Sequence, residues 1–128
     1  MTVLKTIFIQ EQGNYMQHDP LVLVEDIIRA CKLIIQFTGG LDVAEYCRDI
    51  KTKSAVERQF EIIGEALNRI KRLDVDLLST VSNWREIIAF RNVLAHGYDV
   101  VENEIVWDSI KRDIPILQKQ LEKLVLNY

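Results

Sequence analysis

The chain is poor in the residues that most often announce chemistry. Histidine occurs twice, at His18 and His96, and cysteine twice, at Cys31 and Cys47. Neither these nor the carboxylates show metal-ligand spacing, so a metal centre is not expected. The five glycines form no phosphate-cradling loop. Positive charge is not in surplus: 16 Lys and Arg stand against 19 Asp and Glu, a net charge of -3. That argues against a general polyanion binder, which is usually basic. Contact with nucleic acid would need a local cation working against an unhelpful global field. No apolar run is long enough to span a bilayer. The start, MTVLKTIFIQ, has too short an apolar stretch for a secretory signal and lacks a small-residue cleavage site. A cytoplasmic protein with reduced thiols is the simpler expectation.

What is present is apolar residue at helical spacing. The 128 residues, 48% of them hydrophobic, suffice for one domain with a real core. Residues 1–18 read as an N-terminal extension: TIFIQ has strand character, EQGNYMQHD is loop-like, and Met16 is a plausible alternative start. From residue 19 to 128 the text is helical. Asp19-Pro20 reads as N-cap and first helical residue. Val24, Ile27, Cys31 and Ile34 follow at threes and fours, and Gly39-Gly40 ends the helix. A short piece over Leu41 to Cys47 leads into a long helix that opens near Ser54, with Glu57 completing a capping box. Its stripe is Val56, Phe60, Ile63, Leu67 and Ile70. After a linker containing Val75 to Val81, a third long helix begins at Asn83, with Glu86 at N3. The last carries Trp107, Ile110, Ile114, Leu117, Leu121 and Leu124, and Pro115 is expected to kink or restart it. The sum is an all-α, up-down four-helix bundle.

One residue breaks the pattern. At about 100° per residue, with Trp84 at zero, Ile87 lies near -60°, Ile88 near +40° and Leu94 near -80°. Arg91 falls at roughly -20°, in the middle of that apolar stripe. An arginine there has three options, because an unpaired buried charge costs several kcal/mol. It pairs with an acid of the preceding helix, Glu61 or Glu65; or its stem covers apolar surface while the charge reaches water; or the stripe faces a cleft or a second subunit. His96 follows five residues later, roughly 140° around a regular helix. Gly97 suits the left-handed residue after a helix end, a turn that would bring His96 and Tyr98 back toward Arg91. Singly, His96 reads as a helix-end cation and Tyr98 as a packing residue with a hydrogen-bonded hydroxyl.

The run RNVLAHGY, residues 91–98, resembles the R-x4-H-x-Y motif of the HEPN superfamily in its HepT-like branch. The polar residue favoured after the arginine is present as Asn92. FEIIGEALNRI, WREIIAFRN and VWDSIKRDIPILQKQL resemble the same branch, in the same order. The likeness spans roughly residues 19–124; residues 1–18 have no counterpart in it. It implies a bundle that forms homodimers, with the two motifs facing across the interface. It also implies a metal-independent endoribonuclease acting as the toxin of a toxin–antitoxin pair. The implied partner is a minimal nucleotidyltransferase of the MntA type. That partner uses ATP to transfer AMP to the motif tyrosine; the toxin itself needs no cofactor.

Carried over by position, Arg91 and His96 are catalytic and Tyr98 is the residue modified by AMP. Cleavage without metal uses the RNA 2′-hydroxyl as nucleophile, so it needs a proton acceptor, a proton donor and a cation. His96 titrates near neutrality and can accept or donate. Arg91 suits a bidentate grip on phosphate oxygens. Asn92 is a supporting candidate, as hydrogen-bond donor to the scissile group or as a solvated polar residue. Glu65 is a second, to orient Arg91 or His96. Arg48, Lys51, Lys53 and Arg58 read as an RNA path or, more simply, as a solvated face. The competing expectation is a HEPN-like module that binds a nucleotidyltransferase or a nucleotide and cuts nothing. A plain dimerisation bundle is the third.

Overall fold

The computed structural model describes residues 19–96 and 103–128, with the backbone alone for Ala95 and His96. The extension at 1–18, with its expected strand, and the turn after His96 lie outside them. Asp19 accepts a hydrogen bond from the Leu21 amide at 2.9 Å and starts α1, Pro20–Thr38, with Pro20 in the first turn. The helix stops at Gly39-Gly40, where Gly40 takes a φ of 82°, the left-handed region that glycine enters without a Cβ clash. The short α2 is Val43–Arg48, slightly later than expected. It opens with a true capping box, in which Asp42 receives the Glu45 amide at 2.8 Å and Glu45 receives the Asp42 amide at 3.1 Å.

The long α3, Ile50–Asp74, begins before the expected Ser54. Asp49 accepts from the Thr52 amide at 3.0 Å and from its hydroxyl at 2.7 Å. A cap this close after α2 leaves the Ser54–Glu57 pair inside a helix already under way. A 3-10 turn, Val75–Leu78, leads to α4, Trp84–His96, and α5 is Asn103–Leu126. Asn83 does mark the start of α4, since its carbonyl accepts from the Ile87 amide at 3.1 Å. Its side chain does not cap, however. The Asn83 amide donates to the Asp113 carbonyl of α5 at 3.4 Å, and its Oδ1 is buried without a partner. Pro115 does not end α5 or restart it; the helix runs through.

Every element of the described residues is helical, as the periodicity implies. The expected stripes meet in one core: Val24, Ile27, Cys31 and Ile34 of α1, all five stripe residues of α3, and Ile110, Ile114, Leu117 and Leu121 of α5. Trp107 and Leu124 pack at its edge. The helix α3 lies between α1 and α4, and α1 packs also on α5. The close approaches of α4 are made to α3. Just before it, the Ser82 amide donates to Gln120 of α5 at 3.0 Å, beside the Asn83–Asp113 bond. Trp84 and Ile87 seat the first half of α4 in the core. Further along, Ile88, Phe90 and Leu94 are half-buried and Val93 is 45% exposed. From Ile88 to Leu94 no residue of α4 is fully buried.

Both cysteines are free, Cys31 buried and Cys47 half-buried. Burial, aided by the nearby Glu122 charge, pushes the Cys31 thiol up to about 12. A thiol-specific reagent should therefore titrate Cys47 promptly in the folded protein and Cys31 only in denaturant. Two fast thiols would mean that α1 does not hold this packing. The hydrogen bonds from Thr52, led by its hydroxyl, hold the Asp49 carboxyl below its usual range. A lowered folded-state value means that the cap stabilises above the ordinary carboxylate range and is lost as pH falls through the folded value. Asp49→Ala should accordingly lower the melting temperature at neutral pH, with the gap to wild type narrowing on acidification.

Candidate active site

The site is built where α4 crosses α3. Arg91 lies on α4 between Phe90, which packs edge-on to Phe60 of α3 with ring centroids 5.0 Å apart, and Asn92. Its stem runs over Gly64, in the middle of α3. A glycine inside a helix is destabilising by about 1 kcal/mol relative to alanine, so a packing reason is expected. Here the reason is room. A Cβ on Gly64 would stand 2.5 Å from both Cβ and Cγ of Arg91 and 3.0 Å from its Cδ. One of the blocked atoms is the Cβ of residue 91, so no change of rotamer relieves the clash. Any side chain at 64 forces the two helices apart.

The stem is thus covered, and the charge is left without an acid. Glu61 is engaged by Arg58 at 3.3 Å and Glu65 by Arg69 at 2.9 Å, both along α3 itself. Among the described residues Arg91 makes no ion pair. The structural ion pair to Glu61 or Glu65, one of the three expected options, is not formed. Glu65 as the residue that orients Arg91 is corrected with it, because the short link within one helix, at i and i+4, satisfies the carboxylate locally. What holds the guanidinium is its neighbour: Nη1 donates to Oδ1 of Asn92 at 3.0 Å. Asn92, exposed as its solvated reading required, is therefore also a contact of Arg91. The Arg91 Nε is buried and has no partner among the described residues.

The structure keeps α4 helical through His96, so the backbone of His96 holds its helical phase, roughly 140° from Arg91. The turn expected at Gly97, with Tyr98 in it, and the His96 side chain lie outside the described residues. Of the sequence-derived basic path, Arg58 is tied to Glu61. Among the described residues no cluster of three His, Cys, Asp or Glu is arranged to hold a metal ion, and no helix is long and apolar enough to cross a membrane. Two residues escaped the sequence reading. Gly64 was detectable, since it falls four residues after Phe60 on the buried stripe of α3, where a glycine needs an explanation. Arg69 gave no comparable signal, because its role depends on which acid it reaches.

The protein-family model described as "Ribonuclease HepT-like" matches residues 27–124, from within α1 to near the end of α5. The chain belongs to the HepT-like ribonuclease family. The matched span includes Gly64, Arg91, Asn92, His96 and Tyr98. "Probable ribonuclease HepT" of Thermococcus cleftensis is 40% identical over 101 residues, covering 79% of this chain and 91% of that protein. A "Putative RNase" of Caldanaerobacter subterraneus is 31% identical across 83% of this chain and 94% of its own length. Another "Putative RNase", from Methanocaldococcus jannaschii, is 30% identical with 83% and 96% coverage. No solved structure matches. As a HepT-like protein the chain stands among HEPN-type ribonucleases, as the R-x4-H-x-Y motif indicated.

The Gly64 contact carries its own test. Gly64→Ala overpacks the α3–α4 crossing and should destabilise the fold by about 1–3 kcal/mol. Chemical denaturation should show a lower midpoint with an unchanged slope. An unchanged or raised midpoint would mean that the crossing has room to spare.

Proposed function

We propose that this HepT-like chain is a metal-independent endoribonuclease, the toxin of a toxin–antitoxin pair. The observation that carries the reading is the Arg91 guanidinium, seated by Gly64 and Asn92 yet paired to no carboxylate among the described residues, within a chain of this family. A cation held in place and not neutralised is what a crowded phosphoryl group requires. In this mechanism the RNA 2′-oxygen attacks the adjacent phosphorus while a histidine takes its proton. The bond from phosphorus to the 5′-oxygen breaks, and that oxygen receives a proton from an acid. One His96 serves as base and the His96 of a second subunit as acid, so a homodimer completes the site. Arg91 stabilises the equatorial oxygens through paired N–H donors. The products are a 2′,3′-cyclic phosphate and a free 5′-hydroxyl.

Silencing follows from the same charge. An MntA-like nucleotidyltransferase uses ATP to place AMP on Tyr98, releasing pyrophosphate. The added phosphate competes with RNA for Arg91 and repels the substrate backbone. The modifying ATP is the partner's substrate; the ribonuclease itself takes no cofactor.

Purified protein in excess EDTA should cut single-stranded RNA to ends that carry 2′,3′-cyclic phosphate. Arg91→Ala should lower the rate about 10²–10³-fold and His96→Ala about 10²–10⁴-fold. Cleavage that survives both substitutions would defeat the enzyme reading in favour of a binding module. Intact-mass analysis after incubation with the nucleotidyltransferase and ATP should show AMP additions that disappear in Tyr98→Phe. Additions that persist there would move the modification elsewhere.

A further inference from the structure

Among the described residues Arg91 pairs with no acid, although Glu61 and Glu65 of α3 flank Gly64 in sequence, and that needs a cause. Its stem lies directly on Gly64. Glu65 is the next residue, its Cα only about 3.8 Å further along the chain. Both side chains are longer than that separation, which makes Glu65 the acid nearest along the chain to the Arg91 contact. Neutralising a cation with a nearby carboxylate is the default outcome for an arginine in such a place. What stands against it is Arg69, one turn later on α3, which takes the Glu65 carboxylate at 2.9 Å. The pair is partly shielded, with Arg69 34% and Glu65 51% exposed at the side chain. One turn before Gly64, Arg58 holds Glu61 in the same manner at 3.3 Å. The second pair is longer and its arginine more exposed, so the first is the stronger restraint.

We propose that Arg69 is a positioning residue of the ribonuclease site: by holding Glu65 it keeps that carboxylate off Arg91 and reserves the guanidinium for an RNA phosphate. Arg69 does not touch the substrate in this scheme. It acts through Glu65, and its effect exists only while Glu65 is charged. The inference rests on the ribonuclease reading of Arg91, but the state of the guanidinium can be observed without any cleavage.

The test compares wild type, Arg69→Ala, Glu65→Gln and the double variant, with Arg91→Ala as the inactive reference, all as full-length chains. Cleavage of an RNA oligonucleotide is followed in EDTA. In parallel, 1H–15N spectra record the Arg91 side-chain Nε–H signal, assigned by its loss in Arg91→Ala. Arg69→Ala alone should slow cleavage by roughly tenfold, as the freed Glu65 carboxylate competes with phosphate for Arg91. It should also shift the Arg91 Nε–H signal. Adding Arg69→Ala to Glu65→Gln should change neither the rate nor the signal. The inference is overturned if Arg69→Ala leaves the Arg91 signal where it was. It is equally overturned if Arg69→Ala slows the Glu65→Gln protein as much as it slows wild type, because Arg69 would then grip RNA or support the fold directly. Should wild type itself fail to cut RNA, the ribonuclease reading falls, and the spectra still decide whether Arg69 controls the partner of Arg91.

Discussion

The crossing of α4 over α3 at Gly64 is the contact on which the rest turns. With no side chain at 64, the backbone of α3 comes against the stem of Arg91, and α4 takes the position this allows. The stem then removes apolar surface from water while the guanidinium stays at the margin, which resolves the conflict between a charge and an apolar stripe. Phe60 and Phe90 lock the same crossing from one side. The Asn92 side chain fixes the direction of Nη1. A functional group held by packing on one element and by one hydrogen bond on the next has little freedom to wander, the condition that precise phosphate contact demands.

That crossing also explains how an acidic protein can present a usable cation. The global field is unfavourable, since acids outnumber bases across the chain. Near Gly64, however, Glu61 and Glu65 are each closed onto an arginine of their own helix. Surface pairs of this kind contribute little to stability. Their importance here is in deciding which charges remain free. The distribution of cover along α4 points the same way. Its first half is anchored in the core by Trp84 and Ile87, whereas in the half carrying Arg91 and Asn92 no described residue is fully buried.

Much of the architecture was legible in the sequence, because the core consists of stripes at threes and fours: those of α1 and α3 are wholly buried, and that of α5 is buried except at Trp107 and Leu124. Asp19-Pro20 and Gly39-Gly40 bounded α1 for local reasons, a cap that accepts an amide proton and a glycine that takes positive φ. Local signals misled where two of them competed. Ser54 and Glu57 have the form of a capping box, but Asp49 stands earlier and caps first. Asn83 is at the right place for an N-cap, yet the carbonyl of Asp113 claimed its amide. At the candidate site, the oddity of Arg91 was visible from its phase alone, and Asn92 from its place in the motif. The partner of Glu65 was not, since an acid with one arginine four residues on and another across a helix crossing can serve either.

By itself, then, the amino-acid sequence determined the helical class, the faces that become core, the family, and the anomaly of an arginine in an apolar stripe. These follow from period and short-range chemistry, which the chain carries in its order. Only the tertiary structure decided how that arginine is accommodated: stem on Gly64, head beside Asn92, and neither Glu61 nor Glu65 attached. The distance between two helices depends on every side chain in their contact at once, and no spacing along one chain encodes which of several reachable charges will meet.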